Sequence, residues 1–212
     1  MNRLLDFKDP SKKILVFLAV TILSLTCIHK AKAISRVSNA TGNFNSPATW
    51  LPAGVPTATD LLIIQNNHTI LIDNNSLAAT ITVNAGGKLI WTIGKKLTLK
   101  NGFIVNGTVE IIEGDIELQQ PGSPFKIGPT GTLLWQPANN TVAGATLFTN
   151  GIEDFNPSSN LIINKWYNYT NTPIGSVVTG NFGNLALTTL SNGLLLSGIK
   201  IINSNYTKFL GL

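Results

Sequence analysis

Carboxylates crowd one short stretch of the chain: Glu110, Glu113, Asp115 and Glu117. Side chains two apart on a strand leave the same face about 7 Å apart. Paired acid and base groups of glycosidases stand at a similar separation. Glu110, Asp115 and Glu117 are therefore the residues that a polysaccharide lyase or hydrolase would use. Gly114 interrupts the run, which puts Glu113 in a turn, and no Arg stands nearby to hold a sugar acid or an enolate. A solvated outer strand face accounts for the same residues, and no catalytic residue is assigned. Glu113 and Asp115 lack the spacing of an EF-hand or nonapeptide calcium site, so no metal is expected. His68 sits in the turn Asn66-Asn67-His68 without the nucleophile and orienting acid of a triad or the further ligands of a zinc site, and it reads as a turn residue. The remaining chemistry is aromatic. Trp166, Tyr167 and Tyr169 form the best candidate ligand-binding surface, because a sugar stacks its C–H face on such rings and protein partners use them too. No cofactor is expected.

These residues must be carried by strands. Apolar bursts at 62–64, 70–72, 81–83 and 89–91 alternate with Asn, Asp and Gly clusters. Such bursts are short strands, and the clusters are turns whose residues accept positive φ. Within bursts the period is two: Leu97 and Leu99 oppose Lys96, Thr98 and Lys100, and Val109 and Ile111 oppose Thr108 and Glu110. The first inward residues fall at Leu62, Ile70, Ile81, Leu89, Leu97, Phe103, Val109, Ile116, Phe125 and Leu133, at gaps of mostly about 6 to 8 residues. A hairpin-connected sandwich needs about 8 to 12, whereas corners of two or three residues suit a solenoid. The expected fold is all-β, a right-handed parallel β-helix of short strands, with a β-sandwich as the alternative. Matching every third burst pairs Ile81 with Phe103, Leu89 with Val109, Leu97 with Ile116 and Phe103 with Phe125, in coils of roughly 19 to 22 residues. Trp91 and Trp135 share the inward phase and read as core.

Residues 1–33 read as a secretory signal peptide. Arg3, Lys8, Lys12 and Lys13 precede an uncharged run at 14–28, and Ala31-Lys32-Ala33 supplies a small-x-small cleavage pattern. The run is about 22 Å long as a helix, short of the hydrocarbon core. Cys27 lacks a small residue before it, so lipidation is not expected. The whole chain of 212 residues carries a formal charge of +5, but most of that excess lies in this leader. The rest is near neutral and shows no basic stripe, so no nucleic-acid partner is expected, and no membrane contact once the signal is removed. The single Cys also lies in the leader. Beyond it the fold rests on packing and backbone ladders.

Several runs carry a family resemblance: GNFNSPATW at 42–50, GVP at 54–56, DLLII at 60–64, HTILID at 68–73 and VNAGGKL at 83–89. Together they resemble the head module of secreted Bacteroidota surface proteins. They are also similar to the opening of the eight-glycine domain of extracellular carbohydrate-related proteins. The resemblance covers about residues 39–91 and returns loosely in GNFGNLAL at 180–187. It implies export and a β-repeat fold. Phe44 stands where the pattern usually has Trp, and no C-terminal sorting domain is visible before Leu212. Phe44, Trp50, Leu51 and Val55, with Pro47, Pro52 and Pro56, are expected to lie as a lid over the first coil. Uncovered, that end would invite edge pairing. Sugar stacking is the functional alternative for Trp50.

The domain reading is a signal peptide at 1–33, a capped solenoid head at 34–136, a linker or lateral loop at 137–160, and a second β module at 161–212. Its last coil lacks a polar cap, so the chain is expected to be the head of a longer protein or to have a shortened frame. Asn-x-Ser/Thr sites follow from the Asn-rich composition and imply no glycosylation. The functional expectation is an exported, non-enzymatic surface or matrix protein, acting in adhesion or display on a polysaccharide or a surface protein. The alternatives are a carbohydrate-binding module and a polysaccharide lyase or hydrolase.

Overall fold

The computed structural model describes residues 32–136, 148–163 and 184–187. The strands are β1 (Ser35–Ser38), β2 (Gly42–Asn43), β3 (Trp50–Leu51), β4 (Leu61–Ile64), β5 (Thr69–Ile72), β6 (Ser76–Val83), β7 (Lys88–Trp91) and β8 (Lys96–Val105). They continue with β9 (Thr108–Ile112), β10 (Asp115–Leu118), β11 (Ser123–Ile127), β12 (Thr132–Gln136), β13 (Phe148–Thr149), β14 (Gly151–Phe155), β15 (Asn160–Ile163) and β16 (Asn184–Leu187).

These strands stack into a parallel β-solenoid with three faces. Face one stacks β1, β4, the second half of β6, the second half of β8, β11 and β14. Face two stacks β2, β5, β7, β9, β12, β15 and β16. Face three stacks the first halves of β6 and β8, then β10 and β13. The long strands β6 and β8 therefore turn a corner and serve two faces. The register pairs Ile81 with Phe103, Leu89 with Val109, Leu97 with Ile116 and Phe103 with Phe125. All four pairings expected from the burst spacing are present.

The alternation inside each strand builds the core. Leu62, Ile81, Phe103 and Phe125 stack down face one, and Ile70, Leu89, Val109, Leu133 and Leu161 down face two, none more than 1% exposed. Each such side chain contributes about 1.5–3 kcal/mol by leaving water. Phe103 and Phe125 stack at 5.2 Å, Trp91 lies 6.4 Å from Phe103, and Phe155 meets Phe125 edge-on at 5.5 Å. Trp91 and Trp135 are buried, as their phase implied.

The corners explain the glycines. Between faces one and two, Gly107 donates its amide to Val83 O at 3.0 Å, and its carbonyl accepts from Thr132 N at 2.8 Å. A Cβ on Gly107 would stand 2.3 Å from the carbonyl oxygens of both Asn84 and Gly87. Elsewhere the corners need positive φ, supplied by Asn67 (64°), Asn150 (64°) and, less usually, Glu113 (50°).

Two expectations are revised. The stretch 137–160, read as a linker or lateral loop, contains β13 and β14 in full and the first residue of β15. These pair in parallel with β10, β11 and β12. Its polar residues Asn150 and Asn156 sit at corners, where a solenoid needs them, while 137–147 lie outside the described residues. The described strands of 161–212 do not form a separate module. β15 and β16 extend face two. Among the described residues no helix is long and apolar enough to cross a membrane.

Replacing Gly107 with Ala is expected to cost about 2–4 kcal/mol, since carbonyls on two sides must move. Gly94→Ala, which meets nothing within 4 Å but holds φ at +72°, should cost only about 1–2 kcal/mol. Urea unfolding of the two variants checks the difference.

Candidate functional site

The acidic residues are divided between faces. Glu110 lies outward on face two, and its Oε1 meets Lys88 Nζ of the preceding coil at 2.6 Å. Asp115 and Glu117 lie outward on face three, with Lys96 of the preceding coil 2.6 Å from Glu117 Oε2. Glu113 occupies the corner between those faces, where its Oε1 accepts from Gln136 Nε2 at 3.4 Å. The corner carries Glu110 away from the other two, so the three do not converge on one substrate position. The hydrogen bond from Lys96 is the largest influence on Glu117. With the Lys96 charge and the Thr98 hydroxyl it outweighs the opposing push from burial and holds the carboxyl below its usual range. That environment favours the ionised carboxylate, the opposite of the upward push given to the general acid of a glycosidase. A third interstrand pair, Lys126 with Asp154 at 3.0 Å, lies on face one. In all three, a lysine of one coil meets a carboxylate of the next.

His68 sits at the corner between β4 and β5, and its Nδ1 shares a hydrogen bond of 2.8 Å with Ser38 Oγ. That hydroxyl also accepts the Gln65 amide at 2.9 Å. The contact has the span of a nucleophile–base pair. Ser38 is only 2% exposed, however, and among the described residues no carboxylate bonds to His68. The pair ties β1 to the first full coil. Among the described residues no group of three or more His, Cys, Asp or Glu could hold a metal ion. Trp166, Tyr167 and Tyr169 lie outside the described residues.

The cap is where sequence reading fell short. Phe44 and Trp50 are buried, with the rings edge-on at 5.5 Å and Trp50 Nε1 donating to Phe44 O at 2.7 Å. Trp50 has no open face for a sugar. Leu51 and Val55, expected in the lid, are 58% and 44% exposed. The reason is that β3 runs antiparallel to β1, pairing Trp50 with Ser38 and Leu51 with Val37. A strand alternates, so burying Trp50 turns Leu51 outward. Of the three prolines, Pro56 is buried and Pro47 and Pro52 are exposed.

Holding this lid is an ion pair that the sequence reading missed. Arg36 Nε donates to Asp60 Oδ2 at 3.0 Å, with Asp60 only 1% exposed. Asp60 also accepts the amides of Ile34 (3.2 Å) and Thr57 (3.0 Å), and Arg36 Nη1 donates to Pro52 O at 2.6 Å. Gly54 makes room: a Cβ there would stand 2.8 Å from Arg36 Nη1. The available signal was the phase of β1, which turns Arg36 inward with Ser38, a position that demands a buried partner. Burial pushes the Asp60 carboxyl up, but its hydrogen bonds from Arg36, Thr57 and Ile34 and the Arg36 charge outweigh it and hold the group below its usual value.

Comparison with known proteins returns no match: no protein-family model, no curated protein and no solved structure is significantly similar to the chain.

Asp60→Asn leaves Arg36 buried beside a neutral group. It is expected to destabilise the protein by about 3–5 kcal/mol, as measured by denaturant unfolding. Because the folded-state carboxyl is depressed, its contribution is complete above the unfolded value of about 3.9. It is lost as pH falls through the lower folded value. Acid titration followed by tryptophan fluorescence should show an acid transition that the Asn variant lacks.

Proposed function

We propose that this chain is an exported, non-enzymatic surface or extracellular-matrix protein that works in adhesion or display, presenting the outer faces of a rigid solenoid. The observation that carries the reading is the use of its outward charges. Lys88–Glu110, Lys96–Glu117 and Lys126–Asp154 each join one coil to the next. Outward charges paired from coil to coil serve the register of a scaffold. The signal-like leader at 1–33 and the resemblance over 39–91 support export, and the same resemblance suggests a Bacteroidota cell surface. The partner class is a polysaccharide or a surface protein. Trp166, Tyr167 and Tyr169 remain the contact residues proposed for a glycan.

Incubating the protein with a panel of neutral and acidic polysaccharides tests the reading. No chain shortening is expected, and Glu110→Ala, Asp115→Ala and Glu117→Ala should change nothing. Shortening that disappears in those variants would replace this reading with a lyase or hydrolase. For a glycan-binding role, replacing Trp166, Tyr167 and Tyr169 together by Ala should abolish retention on the same panel. Undiminished retention would remove that surface from the proposal.

A further inference from the structure

The described fold takes hold at the residue that follows the expected cleavage site. Lys32 and Ala33 are exposed, and the compact unit of the chain begins at Ala33. Ile34 is fastened at both backbone groups. Its carbonyl accepts the Leu61 amide at 2.9 Å, and its nitrogen donates to Asp60 Oδ1 at 3.2 Å. The two oxygens of Asp60 are unequally used. Oδ2 accepts from Arg36 Nε and from the Thr57 amide, each at 3.0 Å, whereas Oδ1 takes the single long bond from Ile34. Each carboxylate oxygen offers about two lone-pair sites, so Oδ1 has room for a stronger donor than a neutral amide.

We propose that export processing hydrolyses the Ala33–Ile34 bond and that Asp60 receives the α-ammonium group so formed; this rests on the reading of residues 1–33 as an export leader. The step is peptide hydrolysis by a signal peptidase of the host. Water adds to the Ala33 carbonyl and the C–N bond breaks. Ala33 leaves as a carboxylate, and the Ile34 nitrogen keeps the electron pair and takes up a proton. The bond from Leu61 to the Ile34 carbonyl holds the residue in place, so its nitrogen stays beside Oδ1 when Ala33 is gone. What changes is the donor: a neutral N–H becomes a cation. A charge-assisted hydrogen bond to a carboxylate is roughly twice as strong as a neutral one. Asp60 is 1% exposed but Ile34 is 37% exposed, so the rest of the ammonium group keeps its water.

Asp60 and Arg36 are the charged groups that face this corner. Residues 37–59, β4 and β6 carry none, and His68 lies at the far end of β4, bonded to Ser38. Arg36 repels a second cation, but it is held on the other oxygen and by Pro52 O at 2.6 Å. The carboxylate within hydrogen-bond reach therefore favours the charged amine. Folding raises the pKa of the amine above its ordinary value of about 7.7–8.0. The added stability is complete below that ordinary value and is lost as pH rises through the higher folded value.

The full chain, produced with its own leader in a bacterium that exports it, tests this. N-terminal sequencing and intact mass of the exported protein should find Ile34 first. The pH dependence of α-amine acetylation in the native protein should then give a pKa about half a unit to one unit above the ordinary value. Urea unfolding from about pH 7 to about pH 10 should show the folded state losing about three- to tenfold in population relative to the α-acetylated protein, which keeps the N–H but not the charge. Asp60→Asn should return the amine to its ordinary value. Where circular dichroism shows that variant unfolded, the acetylated wild type carries the comparison. An exported chain that starts at another residue, or an amine that titrates at or below its ordinary value, overturns this inference and leaves the export reading standing. A chain that is not exported, or that keeps its leader, overturns both.

Discussion

One buried carboxylate, Asp60, fastens the capped end of the described solenoid. Each inner coil pairs with a coil on either side, whereas the first described coil is closed on its outer side by β3 and the cap. Asp60 stands at the entry to β4 and gathers the amides of Ile34 and Thr57 and the guanidinium of Arg36. Its backbone carbonyl accepts the amide of Ala79 from the coil below, at 2.8 Å. One residue thus links the leading strand, the cap and the next coil. Burying a charge this deeply is unfavourable unless every lone pair finds a donor. Thr57 donates from the turn just before Asp60, whereas Ile34 and Arg36 come from the leading strand segment 24 to 26 residues away, so the carboxylate fastens that segment to the entry of β4.

Away from the cap, the same dependence of coil on coil recurs in weaker forms. Backbone ladders supply most of it. Ser38 and His68 join β1 to the first full coil, and Asn43 Nδ2 donates to Asp73 across the edge of face two at 2.8 Å. The exposed lysine–carboxylate pairs contribute less than about 1 kcal/mol each, being solvent-screened. Their value is in register: a one-residue slip would turn each lysine to the wrong face. The interior allows no such slip either, because a shift would drive Thr and Lys into a stack of Leu, Ile and Phe. With no cysteine beyond Cys27, packing and register hold the described coils together.

The fold was legible because its two determinants are local. Alternation of Leu97 and Leu99 with lysine and threonine shows which side is inside. The short distances between bursts leave room only for corners, and this separated a solenoid from a sandwich. The cap was half legible for the opposite reason. Counting apolar residues in 44–56 gave the right region but not the antiparallel pairing of β3, which decides that Trp50 is buried and Leu51 is not. Arg36 and Asp60 are separated by 24 residues, and nothing local in either says that they meet. The stretch 137–160 misled because polarity was read as departure from the fold. In a solenoid, polar Asn and Ser residues belong to the corners of every coil.

The acidic cluster shows how a linear motif can dissolve in three dimensions. Glu110 and Glu117 look like neighbours in the sequence, but the corner at Glu113, with its φ of 50°, turns the chain onto a new face between them. Each then finds its closest partner in a lysine about one coil away rather than in the other. A catalytic pair needs two groups driven to different protonation states by a shared pocket. Here the cross-coil pairing works in the other direction, holding Glu117 charged in the open.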